Sequence, residues 1–333
     1  MAGARPSGWG LTTPGPLRLY NTTELLNMPR PSWQIEPIIP TGGLVGIYGP
    51  PGCGKSFLAI DMALSIATNS PWQGHPVADG GFGLYVAAEG GVGITKRVDA
   101  WLRHHDITPR KANMGWLIEP MPLYGDSEDV DRLMGRVEEA DVQPAVIVID
   151  TLARCFDGDE NTQLDMGRFV AGVDRLRHEF ATTVIVVHHT RLGGDRERGN
   201  TAFRGAADTM IAMEGNLKKE VTISCNKQKD AEEFGEQVFQ FKLIPGTDSG
   251  VLTGFVEKPA IRKLRADKRN RMDLLLSEVR ATPGITADEL LPVLTPVSMS
   301  RATMFRLIDE LEETREITKE NTRLYLPTET RKR

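Results

Sequence analysis

The chain has 333 residues, 40% of them hydrophobic and 26% charged, with 40 Lys and Arg against 45 Asp and Glu. That balance excludes disorder over most of the length and leaves room for one large core or two domains. No apolar run reaches the roughly 20 residues of a membrane span, and Met1 to Gly10 lacks the apolar stretch of a secretory signal, so a soluble cytoplasmic protein with no membrane partner is expected. Cys53, Cys155 and Cys225 are far apart and odd in number, which argues against a disulfide framework or a zinc cluster and for a reducing compartment. Charge is uneven: residues 261–333 carry 15 basic and 12 acidic side chains, residues 1–260 carry 25 and 33. So small an offset is also what ordinary surface variation gives.

In chain order, residues 1–40 are rich in Pro and Gly and read as an arm, with one short helix at Thr22 to Asn27 that Thr22 or Thr23 would cap. From residue 41 the pattern changes to short apolar runs separated by amphipathic stretches. Strands are expected at Gly43–Tyr48, Gly83–Ala88, Ala145–Asp150 and Thr183–His188, and helices at Lys55–Thr68, Gly93–His104, Ser127–Ala140 and Gln163–Phe180. Strands separated by helices of this length predict a doubly wound α/β domain over 41–260. Its end is expected to turn antiparallel, with strands at Thr209–Glu214, Glu220–Cys225 and Glu236–Leu243 and a turn at Gly215-Asn216. A basic linker over 261–271 then leads into a module over 272–333 with helices at Met272–Ala281, Thr286–Leu294 and Ser300–Arg315 and a hairpin over Glu316–Pro327.

Gly49-Pro50-Pro51-Gly52-Cys53-Gly54-Lys55-Ser56 matches G-x-x-x-x-G-K-[ST] in full and lies between an expected strand and an expected helix. The glycines let backbone N–H groups turn inward around nucleotide phosphates at a helix N-terminus, where the peptide dipoles add favourable field. Lys55 would reach the β- and γ-phosphates of ATP, and Ser56 would hold Mg²⁺. Asp150, closing the strand Ala145-Val-Ile-Val-Ile-Asp150, is the expected second metal residue, acting through water. Thr151 follows it where many ATPases place a water-polarising glutamate, so the base must come from elsewhere. Glu89, closing Leu84-Tyr-Val-Ala-Ala-Glu89, would share the carboxyl edge of the sheet with the loop and could orient the attacking water; the alternative is a cap for the next helix.

These elements, together with Val184-Ile-Val-Val-His-His-Thr-Arg191, resemble the RecA-like P-loop ATPases, and within them the RepA-like hexameric helicases of plasmids and phages, over roughly Trp33 to Val256. The resemblance implies that a polar residue after the fourth strand senses the γ-phosphate, a role that falls on His188, with His189 as the neighbouring alternative. It also implies a homo-oligomer, most simply a hexamer, because a cation from the adjacent subunit completes each site. Lys227 and Lys229 look like the paired cations such proteins carry at the end of a late strand, and Arg204 is the second choice; the bland alternative for all three is a solvated charge.

The segment Arg191-Leu-Gly-Gly-Asp-Arg-Glu-Arg-Gly-Asn-Thr-Ala202 has too much glycine and charge to pack and reads as a loop. In RecA-like rings this position faces the channel, which makes Arg191, Arg196 and Arg198 the expected contacts to single-stranded DNA; Asp195 and Glu197 leave only a modest positive excess. Phe156-Asp-Gly-Asp-Glu160 is acidic and would repel phosphate. The C-terminal order of elements is similar to a winged helix, in which Ser298, Ser300, Arg301, Thr303 and Arg306 would approach duplex DNA and Lys319 and Arg323 would lie on the wing. Glu310, Glu312, Glu313 and Glu316 suit docking to a replication protein equally well. The leading expectation is an ATP-driven DNA helicase of the replicative type. The alternatives are a recombination or repair ATPase and an ATP-switched DNA-binding regulator.

Overall fold

A computed structural model describes residues 19–27, 32–78, 80–89, 91–125, 127–160, 162–189, 201–257, 268–294, 301–314, 316–320 and 322–326. The chain divides into two units, Met1–Pro259 and Ala260–Arg333.

The first unit starts with a short helix, α1 (Thr22–Leu26). Its cap is Asn21, one residue before the expected Thr22: the Asn21 side chain accepts from the Glu24 N–H and the Glu24 carboxylate accepts from the Asn21 N–H, each at 3.0 Å. Strands β1 (Trp33–Ile35) and β2 (Ile39–Pro40) pair antiparallel. Ile35, Ile38 and Ile39 are fully buried in the main core, so the end of the segment read as an arm packs into the body of the unit. The prolines at 37 and 40 hid that packing by breaking up any apolar period.

There follow β3 (Leu44–Gly49), α2 (Lys55–Thr68), β4 (Phe82–Ala87), α3 (Gly91–His104), β5 (Met114–Leu117), α4 (Glu128–Glu139), β6 (Pro144–Asp150), α5 (Gln163–Phe180), β7 (Thr183–His189) and α6 (Thr201–Ala206). Strand β8 (Thr209–Gly215) and, antiparallel from it onward, β9 (Val221–Gln228), β10 (Gln237–Leu243) and β11 (Gly250–Glu257) close the unit. Together they form a nine-stranded sheet in the order β11-β10-β9-β8-β3-β7-β6-β4-β5. The strands from β8 to β5 across β3, β7, β6 and β4 run parallel, as expected of a doubly wound core.

Alternation along the strands divides the apolar side chains between two faces. Val45 and Ile47 of β3 and Val146 and Val148 of β6 belong to one core cluster with α2 and α3; Leu44, Tyr48, Ile147 and Ile149 belong to the other, with α4 and α5. α5 shows why that second face forms: Thr162 caps it by accepting from Asp165 N, and Met166, Phe169, Val173, Leu176 and Phe180 recur at helical spacing on its buried side. α4 is capped likewise by Ser127. Burial on both faces makes the central strands near-continuous apolar runs, the feature that made them readable.

α2 carries the carboxyl of Asp61 into the core. Asp61 is almost fully buried and accepts from Trp72 Nε1 at 2.8 Å, Trp101 Nε1 at 2.7 Å and Gln73 Nε2 at 2.9 Å, and Gln73 in turn donates to Leu252 O of β11. The carboxylate thus ties the phosphate-loop helix to α3 and the sheet margin. Asp61→Ala leaves two buried indole donors without an acceptor and removes one of the two bonds of Gln73, and should cost about 3–5 kcal/mol, read as a lower urea midpoint with unchanged slope; an unaltered midpoint would show that these bonds contribute nothing net.

The second unit contains α7 (Lys268–Ala281), β12 (Ile285–Thr286), α8 (Ala287–Leu294), α9 (Arg301–Glu313), β13 (Thr318–Glu320) and β14 (Arg323–Tyr325). The three strands form one sheet, β12-β14-β13, so the expected hairpin is joined by an unexpected strand ahead of α8. α7 takes up the end of the stretch read as a basic linker. Thr286 and Glu289 form a capping box at α8, and Leu275, Val279, Leu290, Leu307, Ile308 and Leu324 are among the residues of a separate core. No helix among the described residues is long and apolar enough to cross a membrane.

Candidate nucleotide-binding and hydrolysis site

The loop from Gly49 to Ser56 joins β3 to α2, as the motif requires. Gly52 (φ 78°) and Gly54 (φ 100°) occupy left-handed backbone, and a Cβ at Gly49 would stand 2.1 Å from Met213 O, so glycine is needed at each position. Pro50 supplies a turn carbonyl to Cys53 N at 3.5 Å, Pro51 is exposed at the tip, and the Cys53 side chain is buried beneath the loop. The Lys55 ammonium donates to Gly49 O and Pro50 O, both at 2.9 Å. Its pKa is lowered by burial, an effect opposed by Cys53, Asp150 and Glu89. A partly desolvated cation at a helix N-terminus is a setting that phosphate charge stabilises.

Register places the rest of the site. Gly49 pairs with His189, Ala87 with Asp150, and Asp150 with Val187, so the ends of β3, β4, β6 and β7 lie along one edge of the sheet. Asp150 is 4% exposed; its Oδ2 accepts from Tyr85 Oη at 2.6 Å, and its Oδ1 has no hydrogen-bond partner among the described residues. Burial pushes the carboxyl pKa up, while Tyr85 and the nearby Ser56 hydroxyl pull it back. An ionisable oxygen left open inside the protein, with a serine hydroxyl beside it, fits a hydrated Mg²⁺. No group of three or more His, Cys, Asp or Glu that could enclose a metal occurs among the described residues.

Glu89 lies just past β4, half-exposed, where its Oε1 accepts from Thr151 Oγ1 at 3.1 Å and stands 3.4 Å from His189 Nε2. These contacts point Oε1 of its carboxylate at the β6 and β7 ends. His188, the first choice for phosphate sensor, is part-buried: burial, with His189 and Lys55, lowers its pKa to about 4, and its Nδ1 has no partner among the described residues. His189, the alternative, is the one in contact with Glu89.

The neutrality of His188 has a measurable consequence. Its contribution to stability is fully present above about pH 6.5 and is lost as the pH falls through that value toward about 4. Wild-type protein should therefore lose more Tm between about pH 7.5 and pH 5 than the His188→Gln variant does; parallel Tm curves would place His188 in solvent.

The cations expected to act in trans sit elsewhere. Lys227 donates to Arg204 O at 2.8 Å and Gly205 O at 2.9 Å, Arg204 Nη2 donates to Asn226 O at 3.0 Å, and Lys229 lies 3.6 Å from Asp208 Oδ1. Burial lowers the Lys227 pKa. Asp208 Oδ2 also accepts from Leu44 N and Arg177 Nη2, which fixes this cluster at the amino end of β3. Leu44 and Gly49 are about 16 Å apart along an extended strand, so the structure does not bring Lys229 to the phosphate loop of its own chain. Lys227 is not the freely solvated charge of the bland alternative, since it ties α6 to β9.

Arg191, Arg196 and Arg198 lie outside the described residues, as do Ser298 and Ser300. In the second unit Arg301 pairs with Asp288 at 3.2 Å and stacks on Phe305, Arg306 is exposed, and Arg323 donates to Gly284 O. Sequence reasoning missed three residues of the site: Tyr85, Thr151 as a partner for Glu89, and Arg97, whose guanidinium lies over the Phe57 ring at 4.8 Å and acts electrostatically on Asp150. A tyrosine inside an otherwise apolar strand was the available signal, because a buried hydroxyl needs a partner.

Residues 23–195 match the family model described as an AAA domain. Among solved structures, the crystal structure of the RadB recombinase is similar with a TM-score of 0.45 and 16% identity, over 61% of this chain and 88% of that one.

Proposed function

The chain belongs to the AAA domain family, and on that premise we propose that it is a ring-forming, RepA-like ATPase that uses hydrolysis to translocate on single-stranded DNA and unwind duplex, as a replicative-type helicase in the cytoplasm. The observation that carries this reading is the convergence of Lys55, Ser56, Asp150 and Glu89 on one sheet edge while Lys229, with Lys227 beside it, lies toward the other. Lys55 binds the β- and γ-phosphates of ATP. Ser56 and the open oxygen of Asp150 would hold Mg²⁺, which supplies charge neutralisation at the phosphates. Glu89, oriented by Thr151 and His189, positions the water for in-line attack, and His188 or His189 reports the γ-phosphate to β7.

The distant cations support a site completed by a neighbour, and hence a homo-oligomer, with a hexamer as the expected ring. Chain connectivity supports coupling: the segment carrying Arg191, Arg196 and Arg198 leaves the nucleotide edge after His189 and ends in α6, whose carbonyls hold Lys227. Movement at His189 would thus be passed to arginines that grip single-stranded DNA. In the second unit, the order helix, strand, helix, helix and two-stranded hairpin supports a winged helix that presents Arg301 and Arg306 to duplex DNA or to a replication protein.

A mixing experiment tests the shared site. Lys55→Ala and Lys227→Ala/Lys229→Ala proteins should each be inactive, the second by about 10³-fold or more, and their mixture should regain turnover because some interfaces pair an intact loop with intact lysines. Mixtures no more active than their components would remove the trans role and the ring with it.

A further inference from the structure

We propose that Tyr85 is a positioning residue for the metal site: by donating its hydroxyl to Asp150 Oδ2 it commits that oxygen and leaves Oδ1 as the one that receives the metal's water shell. The proposal rests on the ATPase reading above and names a residue that no phosphate-loop pattern contains.

A carboxylate at a strand end can rotate about its last side-chain bond with little hindrance, so its two oxygens are interchangeable unless a neighbour distinguishes them. Here one neighbour does. Tyr85 and Asp150 lie on the same face of adjacent parallel strands, with Tyr85 opposite Val148 and Asp150 opposite Ala87, which makes them a diagonal cross-strand pair. The hydroxyl spans that diagonal at 2.6 Å, the length of a hydrogen bond to an ionised acceptor. The ring cannot swing away: it is fully buried and packs against Trp116 at 5.2 Å between centroids. Oδ1 is buried and meets no hydrogen-bond partner among the described residues; the other hydroxyl close to the carboxylate is that of Ser56, itself assigned to the metal. The asymmetry is what a water-bridged ion requires: one oxygen fixed by the protein, the other presented to water.

A merely structural Tyr–Asp pair would affect stability alone, whereas a positioning role must appear in the Mg²⁺ dependence of nucleotide binding. Binding of a fluorescent ATP analogue to the full chain is measured at equilibrium, in EDTA and across a Mg²⁺ titration, for wild type and for Tyr85→Phe, which keeps the ring and its packing on Trp116. The expected result is affinity in EDTA within about twofold of wild type and a half-saturating Mg²⁺ concentration raised about tenfold. In an Asp150→Ala background, Tyr85→Phe should add no further change, because the oxygen it positions is gone. A Tyr85→Phe titration that overlays wild type, or a loss of equal size with and without Mg²⁺, overturns the assignment while leaving the ATPase reading intact. Wild-type affinity that does not respond to Mg²⁺ at all overturns both.

Discussion

Lys55→Ala should lower ATP turnover by at least about 10²–10³-fold while leaving Tm close to that of the wild type. The ammonium is held 2.9 Å from two loop carbonyls at a position 4% exposed, so its place beneath the phosphates is set before nucleotide arrives. A preorganised cation of this kind stabilises charge that grows on the transferring phosphoryl group without reorganisation at the moment of reaction. The fold, by contrast, loses little. Burial already disfavours the charged form of Lys55, and the two carbonyls it leaves belong to a loop with exposed residues at Pro51 and Gly52, where water can take over the bonds. Steady-state turnover and a thermal melt on the same preparation separate these effects; normal turnover in the variant would remove the phosphate site from the loop.

Asp150→Asn should abolish turnover and, in the protein without nucleotide or metal, raise Tm at neutral pH. The sign follows from the direction of the shift. Burial lifts the Asp150 pKa above 3.8, so its contribution to stability is fully present below that pH and is lost as the pH rises through the folded value. Once ionised, the wild type carries the cost of a buried carboxylate with one unpartnered oxygen, and an amide of the same shape removes the charge. Below the unfolded pKa the two proteins should converge. A strained or costly charge at the point of chemistry is the stability–activity exchange expected of a functional residue. Thermal melts at neutral pH and near pH 3.5, with turnover measured alongside, check both halves; an active variant, or one less stable than wild type at neutral pH, would contradict this role.

How much of this was legible in the chain depended on where each interaction lies. α2 was readable to the residue because punctuation stands at both ends: Gly54 in left-handed backbone before it and Asn69, also left-handed at φ 53°, as its C-cap. The central strands were readable as apolar runs, and Asp150 and Glu89 as the acids that close them. β5 was missed because its four residues are all only half-buried and include Gly115, so no period shows. β11 was missed because its pairing with β10 is non-local evidence that propensity does not contain. The same limit governs the site. Tyr85 meets Asp150 across 65 residues and Thr151 meets Glu89 across 62, and both contacts depend on strand register and side-chain rotamer. The pair Lys227 and Lys229 stood out in sequence as charge; its place at the far edge, tied through Asp208 to the start of β3, emerges only from the topology.

The central claim is that nucleotide turnover is coupled to a single strand of DNA, and the most direct measurement is steady-state ATPase activity with and without single-stranded DNA at two salt concentrations, beside an Arg196→Ala/Arg198→Ala variant. The account predicts turnover that rises several-fold with DNA, a stimulation that weakens at higher salt because phosphate contacts release counterions, and its loss in the double variant with basal turnover retained. Turnover indifferent to every nucleic acid tested would contradict the motor reading and move the weight to an ATP-switched regulator working through the second unit.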